Sequence, residues 1–448
     1  MSEPSDTVRI IHGAKAARAG ILRRAPLEEA APPEYVRARD RALFGPGLSV
    51  GQVVERIIAA VRTEGDAAVV RFNERLDGAA PLPVRVGREE FEEAYRQVPA
   101  ELVDALQQAA DRIRAYHQRQ LQAGVQDFEE RGLGQLVRAI ERAGIYVPGT
   151  TAPLPSSLLM AAIPARVAGV DEVYVASPAL ADGSIPAVKL VAADIAEVTT
   201  VFRMGGAQAI AAFAYGTETV PRVDKVCGPG GLFTTLAKRQ VFGVTGIDAI
   251  YGPTETVVIA DESADPVLAA ADLLAQAEHD ELASPILLTD SPALAERVAA
   301  EVRAQLGELE RGRIAAAAFA GQGGIVVTES LEEAIALANE YAPEHLCLLV
   351  RDPWEWLPKV RNAGGVFLGE ASPEALGDYI AGPSHAMPTG GSARYASPLS
   401  VNDFRKVISL VAVLDATTRE LGEAAARIAR AEGLTAHARA LERRLESR

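Results

Sequence analysis

VYVASPALADGSIPAVKLVAADIAEVTTVF, residues 173–202, sets two short β-branched runs, VYVAS at 173–177 and VTTVF at 198–202, around an Ala-rich helical stretch. Near-continuous apolar strands joined through a helix mean a parallel sheet covered on both faces. The pattern continues on both sides. PSSLLMAAIPARVAG precedes it as a helix, and AQAIAAFAYG and then VDKVCG at 223–228 follow as helix and strand. A second set of candidate strands, TVVIAD, ILLT, GIVV, LCLLV and GVFLG, alternates with helices around 265–279, 291–306 and 331–340. The expected class is α/β, with two Rossmann-like parallel-sheet domains, one inserted in the other.

Upstream, Ser49 and Gln52 are spaced as a capping box, and Val53, Ile57, Ile58 and Val61 form one helical stripe closed by Gly65. A longer helix follows from Pro99, with His117 expected on its solvated face. The first forty residues, containing Pro26, Pro32 and Pro33, read as an arm. The tail switches to helix, broken at Gly433. The expected organisation is an arm at 1–40, a discontinuous domain of 41–143 and 252–396, an inserted domain at 144–251, and a helical segment at 397–448.

Of 448 residues, 48% are hydrophobic and 23% charged, an ordinary globular balance. A net charge of -15 repels polyanions and argues against nucleic acid as a partner. The start, MSEPSDTVRIIHG, lacks the basic and apolar regions of a secretory signal, and no apolar run approaches the ~20 residues of a membrane helix. A cytoplasmic protein is expected, without membrane partners. Cys227 and Cys347, each in an apolar run, read as buried hydrophobes rather than nucleophiles.

Six histidines leave few places for imidazole chemistry. Gln276 and His279 lie three apart on a helix that Asp265 and Pro266 begin, so they share a face. They offer an amide oxygen and an imidazole nitrogen to a metal, or simply a polar face. Glu344 and His345 sit in APEHL between helix and strand; a carboxylate beside an imidazole supplies two proton acceptors of different basicity. Two exposed polar residues in a turn is the other reading. In GDYIAGPSHAMPTGG, Asp378 suits zinc as an oxygen donor, with His385 competing for that role or shaping the loop. Glu432 and His437 flank the break at Gly433. No G-x-G-x-x-G follows a strand, but Gly205-Gly206 and the GPGG at 228–231 each stand between a strand and a helix, where backbone N–H groups can admit a phosphate.

YVPG, PSSLLMAAIPARVAGV, GGAQAIAA, VDKVCGPG, LAKRQV, GPTETVVIAD, LLAQAEHD, APEHL, GDYIAGPSHAMPTGG and GLTAHA follow one another between Gly144 and Ala438. Together they resemble the histidinol dehydrogenase family. The resemblance implies oxidation of L-histidinol through L-histidinal to L-histidine, with NAD and one zinc ion per subunit. It puts zinc ligands at Gln276, His279, Asp378 and His437, and the acid/base pair at Glu344 and His345. Substrate contacts fall on Thr254, Gln276, His279, His345, Asp378, Glu432 and His437, and NAD contacts on Tyr146 and Gln208. It also implies a homodimer whose tails complete each other's sites, with Glu432 and His437 acting in trans. Three positions depart from the family pattern. Gly231 replaces an asparagine that touches NAD, Thr150 replaces a glycine, and Thr254 stands where serine is also common. The rival readings are the same scaffold acting on another small alcohol, such as a sulfonated diol, and a zinc hydrolase in which Glu344 activates water.

Overall fold

The computed structural model describes residues 8–24, 32, 34–149 and 152–446. Two parallel sheets organise the chain. In the five-stranded sheet the spatial order is Thr200–Arg203, Glu172–Ser177, Arg142–Tyr146, Lys225–Cys227, Gly246–Ile247. The six-stranded sheet runs Ile10–His12, Gly324–Val327, Ser284–Thr289, Glu255–Ala260, His345–Leu349, Gly365–Leu368. In each, the order reverses beside a central strand, Arg142–Tyr146 in one and Glu255–Ala260 in the other, as doubly wound sheets do. The strand residues 255–260, 284–289 and 345–349 are buried throughout, as the continuous apolar runs require.

The domain partition read from the sequence is corrected here. The stripe Val53, Ile57, Ile58 and Val61 of the helix Val50–Glu64 packs with Phe202, Ile210 and Phe213 of the five-stranded sheet's layer. The helix Ala100–Ala123 buries Leu106, Ala109, Ala110 and Ile113 against Leu158, Leu159 and Ile163 of the same unit. The helices Val50–Glu64 and Ala100–Ala123 therefore cover 144–251, not the 252–396 sheet. An apolar stripe records that a helix is covered but not by which sheet. His117, expected in solvent, is buried in that interface, its Nδ1 3.0 Å from Gln120 Oε1.

The amino-terminal segment is not an arm. Ile10–His12 adds a parallel edge strand beside Gly324–Val327, and Ala17 and Ile21 enter that sheet's core. Pro26 and Pro33 lie outside the described residues. Nor is the stretch from 397 helical throughout: Arg405–Val411 pairs antiparallel with Leu133–Ala139, beside Phe128–Glu130. The helices Asp415–Ala431 and Thr435–Glu446 then form a hairpin that packs on itself through Ala426, Ala429, Ala438 and Leu441. Among the described residues no helix is long and apolar enough to cross a membrane.

Local signals held. Ser49 and Gln52 make the reciprocal capping bonds, and Asp265 Oδ1 accepts from Val267 N at 2.8 Å ahead of Pro266. Ile57 is 1% exposed, so Ile57→Ala should cost about 2–5 kcal/mol of unfolding free energy in urea titration. A cost near zero would show that this helix does not cover the five-stranded sheet.

Candidate active site

The polypeptide leaves the five-stranded sheet at Ile247 and enters the six-stranded sheet at Glu255, passing through Thr254. The next strand over, His345–Leu349, runs parallel with His345 in register with Thr256. Glu344 and His345 thus emerge at the amino end of a central strand, next to Thr254 and Glu255. Both are buried, at 8% and 3% exposure, so the reading of two polar residues in an exposed turn fails.

The backbone of one residue holds the pair. The backbone N–H of Glu255 donates to Glu344 Oε2 at 3.1 Å, while its carbonyl oxygen lies 3.3 Å from His345 Nδ1. A carbonyl only accepts, so in the neutral imidazole the proton sits on Nδ1 and Nε2 is the basic nitrogen. Nε2 is buried without a hydrogen-bond partner, 3.4 Å from Asp378 Oδ1, which is also buried and unpartnered. That distance, without hydrogen-bond alignment, makes the two neighbours rather than a formed bond. Phe367 stacks on the imidazole at 5.7 Å.

Thr254 Oγ1 lies 2.6 Å from Glu344 Oε2 and 2.9 Å from Gln276 Oε1. Its single proton serves one acceptor at a time. Burial lifts the Glu344 carboxyl above its usual range, against the pull of His345, Thr254 and the Glu255 amide. Burial alone would lower His345, but the carboxylates of Glu344, Glu374 and Asp378 outweigh it and raise the imidazole. For Asp378, burial is likewise overcome, here by His345, His385 and His279, and its carboxyl is held low.

His279 follows the helix Pro266–Ala277, exposed at the rim and close enough to Asp378 to feel its charge. His385 is a loop-shaping residue rather than a free donor. Its Nδ1 is 2.6 Å from the Asp378 carbonyl oxygen and its Nε2 3.0 Å from Ser157 Oγ. Gln276, His279, Asp378, Thr254, Glu344 and His345 therefore converge. Glu432 and His437 do not: both are exposed on the carboxyl-terminal hairpin, and His437 joins no cluster within its own chain. Among the described residues no group of three His, Cys, Asp or Glu side chains is spaced to hold a metal. What one chain offers is an amide oxygen, one imidazole and a carboxylate with an orphaned oxygen, a donor set compatible with zinc but short of a fourth ligand.

Glu374 escaped the sequence reading. It is 1% exposed, accepts from Thr256 Oγ1 and Cys347 Sγ, and leaves Oε2 unpartnered behind His345. No periodicity marks it; a carboxylate in SPEAL reads as a surface turn.

On the other sheet, Tyr146 ends a strand, while Gln208 and Gly231 stand in the first turn and at the cap of helices that follow strands. Tyr146 OH accepts from Gly206 N at 3.1 Å, and Gln208 Nε2 donates to Asp77 Oδ2 at 2.9 Å. Gln208 is fully buried with Oε1 unpartnered. The Gly205-Gly206 turn does not offer the open phosphate cradle expected of it, because Tyr146 already uses the Gly206 N–H and a Cβ at Gly205 would strike Asp77. Gly231 begins the helix Leu232–Val241, and open space surrounds the place its Cβ would take. Thr150 lies outside the described residues. Cys227 and Cys347 are buried, and burial raises both thiols.

The family model described as histidinol dehydrogenase matches residues 47–445. A Deinococcus radiodurans histidinol dehydrogenase is 51% identical over 442 residues, covering 98% of this chain and 100% of that one. One from Thermus thermophilus is 53% identical over 92% of this chain and 98% of its own. A crystal structure of histidinol dehydrogenase from Elizabethkingia anophelis superposes with a TM-score of 0.89 at 33% identity, over 98% of both chains. With its two parallel sheets and buried Glu-His pair, the chain belongs to the histidinol dehydrogenase family of oxidoreductases.

Proposed function

We propose that the protein oxidises L-histidinol to L-histidine in two NAD-dependent steps, with Glu344 and His345 moving the protons. The observation that carries this is the unpartnered, buried Nε2 of His345 beside Asp378, in a site whose chain belongs to this family. In the first step His345 Nε2 accepts the alcohol proton while the carbinol carbon gives hydride to NAD, leaving the aldehyde. Glu344 then takes a proton from water as the oxygen adds to the aldehyde carbon, and His345 returns its proton to the former carbonyl oxygen, giving the hydrate. His345, free again, accepts one hydroxyl proton of that hydrate as a second hydride leaves to a second NAD, and the carboxylic acid so formed loses its remaining proton to solvent as the carboxylate. Burial of both groups excludes bulk water, which strengthens each charge interaction and limits side reactions.

Gln276, His279 and Asp378 would hold zinc, with His437 of the partner subunit as fourth ligand. Bound there, zinc would serve as a template for the substrate's amino and imidazole nitrogens and offset the carboxylate field on His345. Glu432, also from the partner, would face the cationic substrate; its charge disfavours a sulfonated diol. The homodimer is supported by the hairpin's apolar residues left in solvent, among them Leu421, Ile428 and Leu434 at 56%, 62% and 45% exposure. NAD would lie across the carboxyl ends of the five-stranded sheet near Tyr146, Gln208 and Gly231. A zinc hydrolase would need no such second sheet.

Two equivalents of NADH per histidinol should appear with purified protein, zinc and NAD. His345→Asn should keep histidinol binding by calorimetry and lose most turnover; near-normal turnover removes it from the base role. Mixing His345→Asn with His437→Asn chains should restore activity that neither has alone, because one site per mixed dimer is intact. No recovery after subunit exchange would mean that His437 does not act in trans. Gly231→Asn, at φ -69° with space around it, should lower the KM for NAD and leave that for histidinol unchanged. An unaltered KM for NAD would place the cofactor elsewhere.

A further inference from the structure

Arg24 lies outside the span matched by the family model, 47–445, yet it is fastened to both segments that carry the Glu344–His345 pair. Its guanidinium donates to both carboxylate oxygens of Glu255, with Nη2 2.7 Å from Oε2. Nη1 donates to the Tyr341 carbonyl at 2.6 Å, and the cation lies 3.6 Å from the centre of the Tyr341 ring. Tyr341 and Ala342 lead into Pro343, Glu344 and His345. Ala342 takes a φ of 53°, a left-handed turn that a residue with a Cβ holds only when its surroundings impose it. Glu255, at the other end of the clamp, is the residue whose backbone N–H is bonded to Glu344 and whose carbonyl faces His345. A planar, forked cation can span carboxylate, carbonyl and ring together; an ammonium cannot.

We infer that Arg24 is a positioning residue for Glu344 and His345, so that the segment 8–24 belongs to the catalytic apparatus. It touches neither member of the pair. It acts through the Glu255 side chain on one side and the 341–342 turn on the other. This rests on the reading that the pair performs the proton transfers. A cavity of about 240 Å3, lined by Arg18, Leu22, Leu337 and Glu340 among others, opens beside the guanidinium and gives a small cation a path to its place.

The test compares Arg24→Ala and Arg24→Lys with the parent protein in steady-state kinetics, thermal melting and amide hydrogen exchange. Both variants should lose kcat by about tenfold or more, with KM for histidinol and NAD little changed. Peptides spanning 341–346 should exchange faster while the rest of the six-stranded sheet does not. Arg24→Lys retains the charge opposite Glu255 and should keep Tm near that of the parent. Millimolar guanidinium chloride should return part of the kcat of Arg24→Ala. Unchanged kcat, unchanged exchange at 341–346, or a kcat loss that follows Tm with no guanidinium recovery would each overturn the role. Absence of NADH formation by the parent protein would instead sink the functional reading, and the exchange measurement would still decide whether Arg24 holds the turn.

Discussion

The backbone of a single residue, Glu255, is the constraint on which the site depends. Its N–H fixes a carboxylate oxygen of Glu344 and its carbonyl sets the tautomer of His345. Both are main-chain groups at the start of a central strand, so they are as rigid as the sheet. A side-chain partner could rotate away; a strand amide cannot. Burial then raises the stakes, because polar groups withdrawn from water lose heavily if any bond is left unmade. Three of the buried side-chain atoms left without a hydrogen-bond partner, His345 Nε2, Asp378 Oδ1 and Glu374 Oε2, belong to this site.

The two sheets present their candidate site residues at opposite ends. Doubly wound sheets ordinarily bind ligands at the carboxyl ends of their strands, and the five-stranded sheet presents Tyr146, Gln208 and Gly231 there. The six-stranded sheet presents Glu344 and His345 at strand starts instead. The short connection from Ile247 to Glu255 carries Thr254 between the two. On the proposed function, such a division lets each sheet keep an unmodified core, since neither would supply both the cofactor end and the proton-transfer end.

Much of this was legible in the sequence, for physical reasons that differ by residue. Strands such as 255–260 and 345–349 are buried on both faces, so their composition alone betrays them. Asp265 and Ser49 act on amides two and three residues away, and local signals of that kind survive in one-dimensional text. Partner choice does not. Val53 and Ile57 looked equally suited to either sheet, and their assignment to the wrong one followed. The strand Arg405–Val411 was missed because it pairs across more than 260 residues with Leu133–Ala139, and because most of its length is exposed. Motif resemblance supplied Gln276, Asp378 and the Glu344–His345 pair, whereas Glu374 and Arg24 needed coordinates. Their significance lies wholly in what they touch.

The two cysteines carry a consequence for how this molecule comes apart. Cys227 is sealed in the five-stranded sheet and Cys347 in the six-stranded one, each inaccessible to water. A thiol in that condition is reached by an alkylating reagent only when its own sheet opens. The chain therefore contains one chemical clock per layer. The ratio of their labelling rates distinguishes a protein that opens as one body from one in which a sheet breathes alone.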